Sequence, residues 1–301
     1  MSVRVGYRPR RITVSRFIYV TDLHGWVAGY NAVLDLAMDL GIRTIVNGGD
    51  MLPKGAGRLE TQAMFLDVFL PSYLDLCQAR DIRYLAMFGN NDLRCHWEAW
   101  LQLIHDFPGV NDLFSGWLVL EGDIRIRGCP FVPDVPFGVK DWTLLDTENW
   151  NRPGQLRSAK ISTPSGFRKV ADPHAFFAGR PTLARVLDGL VEDSNCLDLR
   201  KAILVTHAPP SGMGLGVVGS LDGDVGSAAV TQWIDDKQPL LTLHGHIHES
   251  PDISGIHTTL RGRTICHQPG QRAPMGLTLS IVTIDNGRVG IDRKIIALGA
   301  A

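Results

Sequence analysis

The 301-residue sequence lacks the features that mark several large classes of protein. Its five cysteines are an odd number without a Cys-x-x-Cys pair, which argues against a disulfide framework or a zinc ribbon and favours a reducing cytoplasm. No apolar run approaches the ~20 residues of a membrane-spanning helix. The formal net charge of −1 gives no sign of a polyanion-binding surface. Internal repeats and low-complexity runs are also missing.

The N-terminus has no apolar core segment of the kind found in secretory signals. It carries five arginines before its first acidic residue, Asp22, and we interpret it as a solvated basic tail in preference to a transit peptide. The chain is 45% hydrophobic and 20% charged, which is typical of a soluble globular protein with a large core. We therefore predict one domain over residues 1–301, interrupted by an insertion.

The order of apolar runs predicts an α/β fold. Candidate strands over 16–21, 42–46 and 82–88 are separated by helical patterns over 32–40 and 59–78. This β-α-β order brings the carboxyl ends of the strands to one edge of a sheet, where open α/β folds bind their ligands.

Local signals refine this prediction at three places. Asn31 is a candidate N-cap for the first helix, and Pro71 is a candidate kink in the second. Asp285-Asn286-Gly287 predicts a hairpin turn in a C-terminal part that alternates like antiparallel strands. Residues 130–182 are rich in proline, glycine and aromatic residues and weakly periodic, so we interpret them as a cap-like insertion across a cleft; a packed surface loop without function is the alternative.

Five strand ends carry side chains that can bind a metal ion. They are Asp22-Leu23-His24, Gly49-Asp50, Gly89-Asn90-Asn91-Asp92, His207 and Gly245-His246-Ile247-His248. Alternate residues of an extended chain share a face, so His246 and His248 point the same way, as do Asp22 and His24. Hydrogen-bonded surface histidines would explain any one motif alone, but five such motifs at strand ends indicate a shared metal site.

In these motifs the chain resembles the calcineurin-like metallophosphoesterases, from about Phe17 to the Pro269-Gly270 turn and apart from the insertion. The resemblance implies a four-layer α/β/β/α sandwich with a site for two divalent ions. It assigns to the first ion Asp22, His24, Asp50 and His248. It assigns to the second ion Asp50, Asn90, His207 and His246.

The residue types fit this assignment chemically. Oxygen and nitrogen ligands without a thiolate suit Mn, Fe or Zn, and Asp50 is the candidate bridge between two ions ~3.5–4 Å apart. A water between the ions loses a proton because two cations stabilise hydroxide, which then attacks phosphorus in line with the leaving oxygen. We expect hydrolysis of a small phosphoester, with phosphodiesters preferred over monoesters.

One position departs from the family pattern. The family usually has histidine after the metal-binding asparagine, and this chain has Asn91. An imidazolium can protonate the departing oxygen, whereas an amide only donates hydrogen bonds at neutral pH. We therefore expect weak activity on esters with poor leaving groups, with Asn91 and Asp92 as candidate catalytic residues; Asp92 would orient Asn91 or a metal ligand.

Three more residues are candidates for contact with substrate. Arg94 can bind a phosphate group, and His174 and His267 can supply the proton that Asn91 cannot. Solvated surface charge and ordinary packed histidines are the alternative interpretations.

Competing functions remain open from the sequence. The same scaffold can serve as a non-catalytic, metal-bound interaction module, which Asn91 favours and the full set of seven ligands disfavours. A nuclease is a third option, although a near-neutral chain without a basic aromatic groove disfavours nucleic acid as a partner. The run Gly214 to Gly219 matches a dinucleotide-binding pattern but does not follow a strand directly into a helix, as that pattern requires. The natural substrate, the metal pair and the oligomeric state stay undetermined.

Overall fold

Two six-stranded sheets carry the fold in the computed structural model, which describes residues 14–133, 138–148, 159–192, 198–219 and 223–298. The strands in these ranges are β1 (Val14–Val20), β2 (Thr44–Asn47), β3 (Arg83–Ala86), β4 (Val110–Asp112), β5 (Leu118–Val119), β6 (Arg125–Cys129), β7 (Val132–Pro133), β8 (Thr143–Leu144), β9 (Lys160–Thr163), β10 (Gly166–Lys169), β11 (Ala202–Thr206), β12 (Leu241–His244), β13 (Thr258–Arg261), β14 (Thr264–His267), β15 (Leu277–Asp285) and β16 (Arg288–Ile296).

Helices flank these strands. The α-helices of the described ranges are α1 (Val27–Asp39), α2 (Arg58–Met64), α3 (Leu70–Ala79), α4 (Trp97–His105), α5 (Pro173–Ala178), α6 (Leu183–Glu192), α7 (Ala228–Lys237) and α8 (Ser250–Ser254). Within the part of the chain that the structure describes, no helix has the length and apolar character needed to cross a membrane.

Parallel pairing brings the functional loops to the same side of each sheet. The first sheet has the order β16-β15-β1-β2-β3-β4, in which β1 to β4 are parallel. The second has the order β13-β14-β12-β11-β6-β5, in which β6, β11, β12 and β14 are parallel. The loops after β1, β2 and β3 therefore lie side by side at one edge, and those after β11 and β12 lie side by side at another.

The two sheets pack face to face between layers of helices. Along β1, Phe17 and Tyr19 enter an apolar core between the sheets, where they join Val205 of β11. Ile18 and Val20 point the opposite way, into the core that contains the buried faces of the helices. The four-layer α/β/β/α sandwich expected from the sequence is confirmed. Its division into one domain with an insertion over 130–182 stays a prediction.

Helix α1 begins earlier than predicted. Asn31 was expected to cap it, but the N-cap residue is Trp26, and Asn31 lies inside the helix. Gly29 and Tyr30 are buried on the face that also buries Val33. This stripe extends the apolar face by one turn, and its packing outweighs the capping preference of Asn31.

The long helical pattern over 59–78 is divided at the predicted place. Helices α2 and α3 are joined by a π-helical turn over Phe65–Phe69, in which the Leu70 N–H bonds to the Phe65 carbonyl. Pro71 follows directly, in the first turn of α3. Proline has no N–H to donate to the preceding turn, so a wider turn at this point is the expected accommodation.

The predicted hairpin near the C-terminus is confirmed. Strands β15 and β16 pair antiparallel from Leu277 opposite Ile296 to Asp285 opposite Arg288, so Asn286 and Gly287 form a two-residue turn. Both turn residues have positive φ, which is what such a turn requires.

The described parts of residues 130–182, the predicted insertion, contact the rest of the molecule at two buried points. Trp142 packs against Phe88 and donates from Nε1 to the Asp92 carbonyl at 2.7 Å. Asp146 is fully buried and accepts hydrogen bonds from the Ser227 hydroxyl and the Ala228 N–H, at the start of α7. Its described parts thus contact both halves of the sandwich, and they contain the β7–β8 pair, the β9–β10 hairpin and α5.

Candidate metal centre

Backbone hydrogen bonds align the loops that carry the predicted ligands. The Asp22 N–H donates to the Gly49 carbonyl and the His24 N–H donates to the Asp50 carbonyl, each at 2.9 Å. The loop after β12 joins them from the other sheet, because the His246 N–H donates to both carboxylate oxygens of Asp22 at 3.1 Å. Residues more than 200 positions apart in sequence therefore meet where the two sheet edges come together.

Four of these residues have an unusual backbone conformation. Asp22, His24, Asp50 and His246 have φ values of 59°, 46°, 51° and 71°. Residues other than glycine rarely adopt this left-handed region, although aspartate and histidine do so more often than most. Such conformations cost of order 1–3 kcal/mol each and concentrate at functional sites.

Two glycines of the motifs are required by close packing. A Cβ at Gly89 would collide with Asp50 and with the His207 ring, and a Cβ at Gly245 would collide with Thr21 and lie 2.7 Å from Asp22 Oδ2. Glycine at these two positions lets the loops of both sheets approach the same carboxylates.

One group of side chains is formed by Asp22, His24, Asp50 and His248. Each offers one ligand atom, and these atoms all lie within 4.8 Å of one another. His24 Nε2 lies 3.1 Å from His248 Nε2 and 3.7 Å from Asp50 Oδ2, and His248 Nε2 lies 3.3 Å from Asp22 Oδ1. Ligand atoms around an ion with bonds of 2.0–2.1 Å stand roughly 3.3–3.4 Å apart, so these distances fit a bound divalent metal.

A second group is formed by Asp50, Asn90, His207 and His246. Asn90 Oδ1 lies 3.1 Å from His207 Nε2 and 2.7 Å from His246 Nδ1. His207 Nε2 lies 3.5 Å from Asp50 Oδ1. The opposite ring nitrogen of His207 contacts the Gly48 carbonyl at 3.0 Å, which fixes the ring and leaves Nε2 directed at the group.

Asp50 belongs to both groups and faces a different one with each carboxylate oxygen. Oδ2 lies on the side of His24, and Oδ1 lies on the side of His207. The residue is almost fully buried. A buried carboxylate between two sets of nitrogen and oxygen donors is the arrangement that two adjacent cations need.

In two buried pairs, each formed by an aspartate and a histidine, the partners shift each other's pKa. Burial alone would raise the pKa of Asp50, but the charge and hydrogen bond of His207, the charge of His24 and the hydrogen bond from Asn91 together hold that pKa well below its usual range. Burial alone would lower the pKa of His207, and the Asp50 carboxylate raises it instead, to about 9. Asp22 and His248 behave in the same way. Burial acts against both shifts, yet the pKa of Asp22 falls to about 2 beside His248, and the pKa of His248 rises beside Asp22. Cations compete with the protons on these histidines, so metal binding releases protons.

The other two histidines are held neutral. Burial lowers the pKa of His24 to about 4 and, together with the charge of His207, lowers the pKa of His246 to about 3. A neutral imidazole keeps a lone pair on one nitrogen, which is the form that binds a metal ion.

Asn91 contacts the shared carboxylate directly. Its N–H donates to Asp50 Oδ1 at 2.8 Å, and its side-chain Nδ2 donates to Asp50 Oδ2 at 2.7 Å. Its side-chain oxygen accepts a hydrogen bond from Arg58 Nη1 at 3.3 Å. Asn91 therefore orients Asp50 and at the same time places a guanidinium beside the cluster.

Asp92 acts on the backbone of the loops that carry the predicted ligands. It is fully buried and accepts hydrogen bonds from the N–H groups of Met51, Leu52 and Gly89 at 2.8–3.0 Å. Burial, and then the negative charge of Asp50, raise the pKa of Asp92 to about 8, while the three N–H donors act against them. Because these donors flank Asp50 and Asn90, Asp92 locks the loops after β2 and β3 together.

Two residues of the site could not be found from the sequence. Arg58 is the first residue of α2 and contacts the cluster through Asn91. Gln62 is fully buried, donates to the Pro53 and Asn91 carbonyls at 2.9 Å, and accepts from the Leu93 N–H at 2.8 Å. Each looks in the sequence like an ordinary polar residue of a surface helix, so no pattern marks either one.

The remaining predicted residues lie in different surroundings. His267 is fully buried, and its ring nitrogens contact the hydroxyls of Thr258 and Ser280 at 2.8 Å, so it presents no surface to a substrate. His174 is exposed on α5. Arg94 follows the metal-binding loop and lies over the Trp142 ring, 5.1 Å from its centre. Substrate binding by Arg94 and His174 stays a prediction.

Residues 15–250 match the family model described as the calcineurin-like phosphoesterases. The chain belongs to this family. The matched range includes all seven predicted ligands, and the family places the chain among metal-dependent phosphoesterases. No curated protein sequence matches the chain significantly.

Solved structures share the fold at low sequence identity. The protein TT1561 of Thermus thermophilus is 14% identical, with a TM-score of 0.52 over 93% of this chain and 98% of that one. A structure named as a dimetal phosphatase from Danio rerio is 12% identical, with a TM-score of 0.50 over 94% of this chain and 99% of that one. A third is 14% identical, with a TM-score of 0.62 over 94% of this chain and 100% of that one. At these identities the comparison shows that the fold is shared and nothing more about this phosphoesterase.

Replacing Asp92 with asparagine tests its role in holding the loops. In Asp92→Asn the new amide NH₂ must face at least one of the three backbone N–H groups, which leaves a buried donor without an acceptor. We expect Mn²⁺ affinity, measured by isothermal titration calorimetry, to fall by ~10–100-fold. Asp75→Asn, which changes an exposed aspartate of α3, is the matched control and should leave the affinity unchanged. Wild-type affinity in Asp92→Asn would contradict this role.

Proposed function

We propose that this phosphoesterase hydrolyses phosphodiesters with two divalent ions, Mn, Fe or Zn, bound on either side of Asp50. The observation that carries the proposal is the position of the Asp50 carboxylate, whose two oxygens face two different groups of buried nitrogen and oxygen donors. The absence of a thiolate from these donors favours metals of this type.

The proposed ligands divide as the two groups do. The first ion would be held by Asp22, His24, Asp50 and His248. The second ion would be held by Asp50, Asn90, His207 and His246. Asn90 contributes a neutral oxygen, which limits the negative charge collected around two cations.

When bound, two such ions supply a hydroxide nucleophile, by lowering the pKa of a water between them, and withdraw charge from the phosphoryl oxygens. The protein's part is to hold that arrangement rigidly. Asn91 fixes both oxygens of Asp50, and Asp92 fixes the backbone on either side of it. Preorganised groups of this kind need no rearrangement when charge develops.

Arg58 offers the positive charge that the histidine usual in the family would offer. Its guanidinium is held by Asn91. Lys54 adds a second positive charge near the cluster. Burial is the largest influence on the pKa of His24 and of His248, followed by the charges of Asp50 and Asp22 respectively, and the charge of Lys54 also acts to lower both pKa values. A guanidinium stabilises negative phosphoryl oxygens but stays protonated, so it does not release a proton to a departing alkoxide.

This difference favours substrates that need no proton donor. When the leaving group of a diester is a stable anion, it departs without being protonated, so stabilisation of the phosphoryl charge by the cluster and Arg58 suffices. We propose small phosphodiesters as the substrate class for this reason. We also propose a cytoplasmic location, which is supported by the free thiols of the four described cysteines, Cys77, Cys95, Cys129 and Cys266.

Hydrolysis of bis-p-nitrophenyl phosphate tests the proposed activity. We expect pure protein to release p-nitrophenolate and to do so faster when Mn²⁺ is added. Asp50→Asn removes the charge shared by both ion sites, and His207→Ala removes a ligand of the second, so each should lower kcat/KM by ~10³-fold or more.

His105→Ala is the control, because it removes a histidine whose side chain is 88% exposed on α4. It should keep wild-type activity. Activity that persists in Asp50→Asn and His207→Ala would come from a contaminant. A folded protein that binds Mn²⁺ but turns over no ester would instead support the non-catalytic interaction scaffold.

The response to leaving group tests the roles of Asn91 and Arg58. In Asn91→His an imidazolium can protonate the departing oxygen, so turnover of a phenyl diester should rise by ~10-fold or more relative to a p-nitrophenyl diester. Arg58→Gln should slow both esters by a similar factor, because the guanidinium acts on phosphoryl charge. The measurement is kcat for the two esters in each variant. Equal effects of Asn91→His on both esters would rule out the proposed consequence of Asn91.

A further inference from the structure

An open cavity of about 630 Å³ lies beside the loop that carries Asn90 and Asn91. The insertion supplies most of its walls, and the metal-binding loop supplies the rest through Arg94 and Cys95. The residues that line it include Arg94, Asp141, Ser162, Arg168, Phe176 and Arg180.

Three guanidinium groups face this cavity against one carboxylate. Arg94, Arg168 and Arg180 form no ion pair with any carboxylate in the described ranges of the chain. Asp141 is almost fully buried, and its oxygens already accept hydrogen bonds from the Arg94 N–H, the Ser162 N–H and the Ser162 hydroxyl at 2.6–3.0 Å. The cavity therefore has an excess of positive charge and three guanidinium groups that no carboxylate of the described ranges pairs with.

Two of the arginines are held in place without a neutralising partner. Arg94 lies over the rings of Trp142 and Trp97, 5.1 and 6.0 Å from their centres. Arg180 lies 4.8 Å from the centre of the Phe176 ring, and its Nη1 donates to the carbonyls of Lys140 and Thr143 at 3.4 and 3.2 Å. Stacked and hydrogen-bonded guanidiniums lose less freedom on binding an anion than solvated side chains do.

The two arginines are also close enough to repel each other. Burial and then the positive charge of Arg94 lower the pKa of Arg180. Ordinary surface arginines avoid such an approach by turning into solvent, whereas these two are fixed by aromatic rings and carbonyl groups. An anion between them would remove the repulsion and gain charge-assisted hydrogen bonds from both sides.

The cavity lies close in the chain to the residues of the candidate metal centre. Arg94 follows Asn91 by three residues, which limits the separation of their Cα atoms to ~11 Å. Asn91 contacts Asp50 directly. A substrate whose reacting phosphorus lies beside Asp50 would therefore need to span a short distance to place a second group at Arg94.

We propose that this cavity binds a second phosphate group, carried by the part of the substrate that does not react. The inference rests on the proposed phosphodiesterase function and narrows its substrate class to small phosphodiesters that carry an additional phosphate. Three forked donors around one opening match the several oxygens of a phosphate dianion better than the two oxygens of a carboxylate.

Binding of inorganic phosphate tests the cavity independently of catalysis. The titration uses Asp50→Asn protein in a buffer with a chelator, so that neither turnover nor bound metal contributes to the heat. We expect phosphate to bind this protein, and the further substitution Arg94→Gln or Arg180→Gln to weaken binding at least 10-fold. Arg180→Lys should restore part of the lost affinity, because it keeps the charge but not the fork. Arg168→Gln changes an exposed residue of β10 and should also weaken binding, which keeps the test valid if Arg180→Gln does not fold.

Arg288→Gln is the matched control, since it removes an exposed guanidinium from β16, an edge strand separated by three strands from the β3 strand that precedes Arg94, and it should leave phosphate binding unchanged. Absence of phosphate binding, or equal binding in the arginine variants and in Arg288→Gln, would overturn the proposal. Citrate, titrated under the same conditions, separates carboxylate from phosphate recognition, and tighter binding of citrate would also overturn it. None of these outcomes depends on whether wild-type protein hydrolyses a diester, so the two proposals fail separately.

Discussion

The Asp50 carboxylate is the constraint on which the site depends. It is buried between two sets of nitrogen and oxygen donors, and each of its oxygens faces one set. A lone buried carboxylate would be costly, and here the cost is offset by the charges of His207 and His24 and by two hydrogen bonds from Asn91. Divalent ions would replace protons in that balance, which is why the same residues suit both the folded chain and metal-assisted chemistry.

The rest of the fold serves to bring that carboxylate and its partners together. Parallel strands in each of two sheets deliver their following loops to one edge, and the face-to-face packing of the sheets brings the two edges into contact. The loops are then fixed by buried side chains that touch no ligand atom themselves, chiefly Asp92 and Gln62. Tight loops with positive φ at Asp22 and Asp50 persist because so many contacts determine them.

The sequence predicts the part of this arrangement that is local. Motifs at strand ends place Asp22, Asp50 and His207 at sheet edges, since strands and β-α-β order leave clear patterns of apolar residues. The roles of Asn91 and Arg58 are not predictable in this way, because they depend on contacts between segments 33 residues apart. The start of α1 is wrong by about one turn for a related reason: packing of Gly29 and Tyr30 is a tertiary effect that outweighs a local capping signal. Arg94 is a candidate phosphate contact from the sequence, but its grouping with Arg168 and Arg180 is not predictable, because it depends on how the weakly periodic residues 130–182 fold.

Anomalous diffraction from crystals grown with Mn²⁺ tests the central claim most directly. The account predicts two manganese peaks ~3.5–4 Å apart, one on each side of the Asp50 carboxylate, with His24 and His248 beside one and His207 and His246 beside the other. A single peak, or peaks that Asp50 does not join, would contradict it.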